Sequence, residues 1–206
     1  MAGTGGLVKI RPMEKRDLTP AVQMLARAFA TNPNTLATNG GKPASPEKLE
    51  AAFMGRFKHL PGKLFVAELD NRIVGAMRIV EWPGCQASML QTLKMLPSMA
   101  KALSGLSQAK RGMKILNAWK EHDPKRPHWH LDPIGVDPDI QRNGIGGRLM
   151  EHYCRVIDER GMEAYHETDR TENVPFYEVF GFKVVGEQTI IGAKNWYMLH
   201  PAKSSK

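Results

Sequence analysis

Between Gly135 and Tyr153 the chain reads GVDPDIQRNGIGGRLMEHY. A strand-like fragment passes through Gly144, Gly146 and Gly147 and then takes up a helical apolar rhythm. That order leaves few folds open, because the backbone must turn sharply from a sheet into a helix N-terminus with side chains cleared from the turn. Glycine removes the bulk and tolerates left-handed backbone. The first N–H groups of a helix have no intrahelical partner, and the helix dipole makes that end positive. The place therefore suits a phosphate. Read from the sequence, the donors are the backbone N–H groups from Arg142 to Arg148.

A Walker-type loop ends in Gly-Lys-Ser/Thr, whereas this one continues Gly147-Arg148-Leu149, which excludes it. The dinucleotide fingerprint needs a third glycine or alanine where Leu149 stands. It also opens a large sheet, and too little chain follows residue 140 of 206 to build one. A glycine-rich turn that binds nothing is the plain alternative.

Composition narrows the partners. The apolar and charged fractions, 42% and 24%, are those of an ordinary globular protein. No apolar run reaches the roughly 18 residues of a membrane span. The lead MAGTGGLVKI lacks the apolar segment of a signal peptide. Cys85 and Cys154 form no disulfide framework. A reducing cytoplasm is the expected compartment. The net charge of +8 is scattered, without an aromatic-interleaved basic motif, so no nucleic-acid partner is expected. An anionic cofactor fits the charge equally well.

LVKIRP reads as a first strand. A helix with Thr19 as cap, Pro20 first and an apolar stripe of Val22, Leu25, Ala26 and Phe29 follows, and Asn32-Pro33 stops it. TNGGKPASP reads as a loop and Ser45-Pro46 as the cap of a second helix. KLFVAEL and RIVGAMRIVEW, joined by Asp70-Asn71, make an antiparallel hairpin. From about 86 to 122 the chain is helical, methionine-rich and interrupted at Pro97, Gly105 and Gly112. Met89, Met95, Met99 and Met113 either pack or form an adaptable wall over a pocket. HWHLDPIGV, MEAYHET, FKVVGEQTI and KNWYMLH supply four more strands, with helices from Gly144 to Arg160 and Val174 to Phe180. The expectation is one α/β domain over residues 1–206, a mixed sheet with helices on both faces and a helical insertion.

The segment QRNGIG matches the Gln/Arg-x-x-Gly-x-Gly/Ala pattern of the GCN5-related N-acetyltransferase (GNAT) superfamily, whose loop cradles the pyrophosphate of acetyl-CoA. The resemblance covers HWHLDPIGVDPDIQRNGIGGRLM, EAYHETDRTENVPFYEVFGFKVV and KNWYMLH. In wording these are most similar to puromycin N-acetyltransferase-like small-molecule acetyltransferases. It implies a mostly antiparallel sheet whose two central strands are parallel and splay apart. Acetyl-CoA is the implied co-substrate, with no metal, and a small-molecule amine the implied acceptor. A protein or peptide acceptor, or an acyl-CoA sensor of the same fold without turnover, are the alternatives.

Residue by residue, the resemblance implies that Ile134, Gly135 and Val136 pair with the pantetheine arm. Gln141, Arg142, Asn143, Gly144, Ile145, Gly146, Gly147 and Arg148 form the pyrophosphate loop, and Asn173 bonds the pantetheine. Tyr177 lies near the thioester sulfur, where a hydroxyl can protonate the leaving thiolate. Pro133 suits a point where two strands part, since proline cannot donate to a ladder. Alternation places His128, His130 and Asp132 on one face of their strand. His130 stands where histone-acetylating relatives carry a glutamate base; histidine titrates near neutrality, so it either takes that role or is a hydrogen-bonded structural residue. Glu167 either faces the cleft as an amine anchor or co-base, or pairs with Arg170 at the surface. His-x-His-x-Asp also resembles a metal site, but its outer donors are roughly 13 Å apart at 3.3 Å per residue, too far for one ion.

Overall fold

The computed structural model describes residues 7–202. The glycine-rich lead lies mostly outside them. A seven-stranded sheet has the order β1-β2-β3-β4-β5-β7-β6. Its strands are β1 (Lys9–Pro12), β2 (Lys63–Leu69), β3 (Arg72–Glu81), β4 (His128–Val136), β5 (Glu163–Thr168), β6 (Lys183–Ile190) and β7 (Ala193–His200). Every neighbouring pair is antiparallel except β4 and β5. The helices are α1 (Leu18–Phe29), α2 (Pro33–Thr38), α3 (Pro46–His59), α4 (Met89–Ala102), α5 (Leu106–His122), α6 (Ile145–Arg160) and α7 (Asn173–Glu178).

The β2–β3 hairpin turns on Asp70 and Asn71, at φ 49° and 61°, the left-handed pair that matches strand twist in a two-residue turn. On one face of the sheet α1 and α3 bury Val22, Leu25, Phe53 and Phe57 against Val66 and Ala76. On the other, α6 buries Leu149, Met150, Tyr153 and Ile157 against Met77, Ile79, Trp129 and Ala164. Gly135 of β4 lets α1 approach closely, because a Cβ there would lie 2.6 Å from Leu25 Cδ2. Its missing side chain thus serves packing.

Several boundaries differ from the sequence reading. The first strand begins at Lys9, not Leu7. The first helix starts at Leu18, so Thr19 does not cap it; Asp17 precedes it and receives Arg11 at 2.5 Å and the Glu14 N–H at 2.8 Å. The chain after Asn32-Pro33 forms α2, a helix the loop reading missed. Of the three interruptions in the insertion only Gly105 breaks it, at φ 133° before α5. Pro97 lies inside α4 and Gly112 inside α5.

Candidate active site

The central parallel pairing is short. His128, Trp129 and His130 of β4 match Glu163, Ala164 and Tyr165 of β5, and there the ladder ends. Beyond it β4 keeps β3 on one edge, with Met77 opposite Ile134, while its other edge opens. Pro133 stands in this opening, next to a register shift against β3. A cleft of about 720 Å³ fills the gap, lined among others by Ile134, Gly135, Val136, Gly144, Gly146, Asn173 and Tyr177, and by Asn34, Trp119 and Glu167.

The glycine turn forms one end of the cleft. Gly144 caps α6 at φ 77°, a left-handed conformation that glycine adopts without strain. Gly146 and Gly147 follow in the first helical turn and also line the cleft, as do Gln141 and Arg142. The run of unpaired donors is shorter than the sequence reading has it. The Arg148 N–H already bonds Gly144 O at 3.1 Å, and its guanidinium reaches Val8 O at 3.2 Å. Ile145 points into the core, and Asn143 folds back on Ile140 O at 3.1 Å. Gln141 donates to Val136 O at 3.1 Å. Of the backbone donors expected from Arg142 to Arg148, the last is therefore already taken within α6.

Tyr177 of α7 lies on the α6 side of the gap, buried beside His166 with ring centroids 4.0 Å apart. Burial, and then the Asp169 charge, hold its phenol above the usual range, so it stays protonated. Asn173 donates to Thr168 Oγ1 at 3.3 Å.

Across the sheet, on the α5 side, Glu167 and His130 come together. His130 Nε2 is 3.1 Å from Glu167 Oε2, and His130 Nδ1 is 3.2 Å from Asp123 Oδ1. Burial favours the neutral imidazole of His130, but the Glu167 charge and the Asp123 bond outweigh it and raise its pKa well above the ordinary histidine value. Glu167 is thus not paired with Arg170, which bonds Asn32 and Glu172 instead. The other oxygen, Oε1, is buried and makes no hydrogen bond of ordinary geometry among the described residues, and the Tyr165 hydroxyl interacts with the carboxylate from the same strand. Glu167 lines the cleft, whereas His130 stands behind it. Asp132 shares the face of the two histidines but is occupied by Arg56 and Arg78.

Sequence reasoning missed the far wall. Asn34 of α2 donates its backbone N–H to Asp169 Oδ2 at 2.8 Å, and its side chain bonds Asn195 at 2.7 Å. Trp119 Nε1 also donates to Asn195, at 3.1 Å. These bonds dock α2 and α5 onto the end of the cleft. No local periodicity marks them, since each joins residues far apart in the chain. Of the insertion, α5 reaches the cleft through Trp119. The α4 methionines do not; that helix buries no residue and packs against α3.

Residues 31–182 match the profile of the acetyltransferase (GNAT) family. The chain belongs to that family. Its members are N-acetyltransferases that use acetyl-CoA. A 61-residue stretch of the chain is 34% identical to the peptidyl-lysine N-acetyltransferase YjaB of Salmonella typhimurium, covering 30% of this chain and 41% of that one. The match thus spans about two-fifths of this relative's length. Among solved structures, the chain is similar to a protein of Corynebacterium glutamicum described as histone acetyltransferase HPA2 and related acetyltransferase. The TM-score is 0.68 at 21% identity, with 97% of this chain and 98% of that one covered. A second is yncA of Salmonella typhimurium, described as a putative acetyltransferase with its cofactor acetyl-CoA. There the TM-score is 0.58 at 12% identity, covering 96% and 95%. Both likenesses establish the fold. Among the described residues no helix is long and apolar enough to cross a membrane.

Proposed function

We propose that the acetyltransferase moves the acetyl group of acetyl-CoA onto a primary amine of a small, cationic molecule, by direct attack in a ternary complex. The observation that carries this reading is Glu167, a buried carboxylate at the wall of the cleft whose Oε1 makes no hydrogen bond of ordinary geometry among the described residues and is approached by the neutral Tyr165 hydroxyl. A neutral hydroxyl compensates a buried carboxylate only in part, and a protonated amine supplies both donor and charge.

The roles follow from position. The first turn of α6 holds the pyrophosphate, and the open edge of β4 at Ile134 to Val136 pairs with the pantetheine arm, with Asn173 beside it. The amine enters from the α5 side and gives a proton to Glu167. Its nitrogen then attacks the thioester carbonyl; the C–N bond forms, the C–S bond breaks, and Tyr177 protonates the departing thiolate. Both nitrogens of His130 are engaged by carboxylates, so we assign it to positioning Glu167 and not to accepting the proton itself. A lysine side chain of a peptide is the second reading, suggested by the name of the curated relative. The docking of α2 over the cleft end favours the smaller acceptor.

Thiol release from acetyl-CoA across aminonucleosides, aminoglycosides, polyamines and lysine peptides tests this. A small cationic amine should be turned over best, and Glu167→Gln should lower kcat on it by about 10²-fold or more. Release with none of the amines would favour a non-catalytic acyl-CoA binder. Full activity of the Gln variant would remove Glu167 as base.

A further inference from the structure

A second cluster lies behind the cleft, where the insertion meets the sheet. Cys85 sits in the turn after β3, Asp123 caps the C-terminus of α5, and His128 and His130 project from β4. One ligand atom from each (Cys85 Sγ, an Asp123 oxygen and one ring nitrogen of each histidine) lies within 4.8 Å of all the others. His128 Nε2 and His130 Nδ1 are each 3.2 Å from Asp123 Oδ1, and Cys85 Sγ is 4.0 Å from the same oxygen. A tetrahedral zinc site with bonds of about 2.0–2.3 Å has ligand-to-ligand edges of roughly 3.3–3.8 Å. The three edges at Asp123 Oδ1 fall within a few tenths of an ångström of that range, and no edge exceeds 4.8 Å, so a small inward shift of the donors closes the site.

We propose that Cys85, Asp123, His128 and His130 bind one zinc ion as a closed structural site. The donor set is the mixture of thiolate, imidazole and carboxylate that suits Zn²⁺, and burial excludes competing water: His128 and Asp123 are 0% and 5% exposed.

An independent observation is the outer shell. In zinc sites each ligating imidazole has its other nitrogen fixed by a carbonyl or carboxylate. Here His128 Nδ1 is held by Arg126 O at 2.8 Å, and His130 Nε2 by Glu167 Oε2 at 3.1 Å. Gln86 Nε2 donates to Asp123 Oδ2 at 2.9 Å, which turns the other oxygen toward the histidines. Three of the four ligands are therefore oriented toward one centre by groups outside it. The spacing along β4 excludes Asp132 as a ligand; the third and fourth donors come from the two ends of the insertion.

Acetyl transfer in this family uses no metal, so the ion acts on structure. It joins the start and end of the segment from 86 to 122 to β4. It also takes Nδ1 of His130, leaving the Nε2 N–H as a donor that holds Glu167 in the cleft. Binding releases the Cys85 proton and any proton on the inward histidine nitrogens.

The experiment is zinc and cobalt titration of the purified full chain, with bound metal counted by elemental analysis after desalting. One zinc per chain should be retained, and cobalt should show tetrahedral visible bands with a thiolate charge-transfer band. Cys85→Ser should lose that band and weaken zinc binding at least tenfold; Asp123→Asn should weaken it without the loss of a thiolate. Cys154→Ser should behave as the parent chain. Acetyl-CoA affinity, read by calorimetry, should change little in any of them, which separates this site from the cofactor cleft. The absence of saturable zinc uptake at micromolar metal, or equal uptake by Cys85→Ser, would overturn the proposal.

Discussion

At the scale of single residues, the chemistry depends on which side of the split sheet each group faces. Tyr177 is enclosed with α6 and α7, and its phenol keeps its proton at neutral pH. Replacing it with phenylalanine removes one oxygen and preserves the packing. If the hydroxyl meets the departing thiolate, its contribution exists only in the transition state. Tyr177→Phe should then reduce turnover by about 10²-fold and leave acetyl-CoA affinity within a few-fold, in steady-state kinetics paired with calorimetry. His166, packed against the same ring, gives a stability signal. Neither of its nitrogens has a hydrogen bond among the described residues, and burial pushes its pKa from 6.5 down to about 3. A group that is harder to protonate when folded binds more protons when unfolded. Its stabilising effect is complete above about pH 6.5 and is lost as the pH falls toward 3. Relative to pH 7.5, the loss at pH 5 should be on the order of 2 kcal/mol. His166→Gln should lack that increment when urea unfolding is compared at the two pH values.

At the scale of elements, the strand-turn-helix unit of β4 and α6 is the most self-sufficient part of the site. Gly144 needs its left-handed backbone, so any substitution there mixes strain with binding. Gly146 is the cleaner probe, because a Cβ at that position would meet Phe176 Cζ at an ordinary 3.5 Å. Gly146→Asp should fold, yet place a carboxylate at the proposed pyrophosphate site. Calorimetry should show acetyl-CoA affinity reduced more than tenfold, which is more than about 1.4 kcal/mol. Undiminished affinity in the folded variant would move the pyrophosphate elsewhere. By contrast, α2 is only Pro33–Thr38, too short to persist alone. It is held by Asp169 and Asn195, so its order depends on partners distant in sequence.

Over the whole molecule, what was readable in the sequence follows from how local each signal is. The Asp70-Asn71 hairpin, the Ser45-Pro46 helix start and the glycine turn are set by neighbours within a few residues, and all three stand as read. The helix α2 was hidden because an Asn-Pro step usually ends order, and only tertiary bonds restore it here. Pro97 and Gly112 read as breaks because propensity is blind to the packing of α4 against α3 and of α5 against α2. Glu167 was recognised as a candidate, but its partner was not. Alternation along β4 put His130 on the proper face without showing that β5 would bring a carboxylate to it. Asp123 and Cys85 carried no signal at all, since their meeting with the histidines is made by the return of α5 to the sheet.

The three-residue pairing of β4 with β5 has a kinetic consequence. A sheet that parts after so few rungs leaves a slot open on both faces, with α6 and α7 on one side and α5 on the other. Cofactor and acceptor in the proposed reaction then use separate doors. Free coenzyme A and the acetylated amine need not leave in a fixed order, because neither stands in the other's exit.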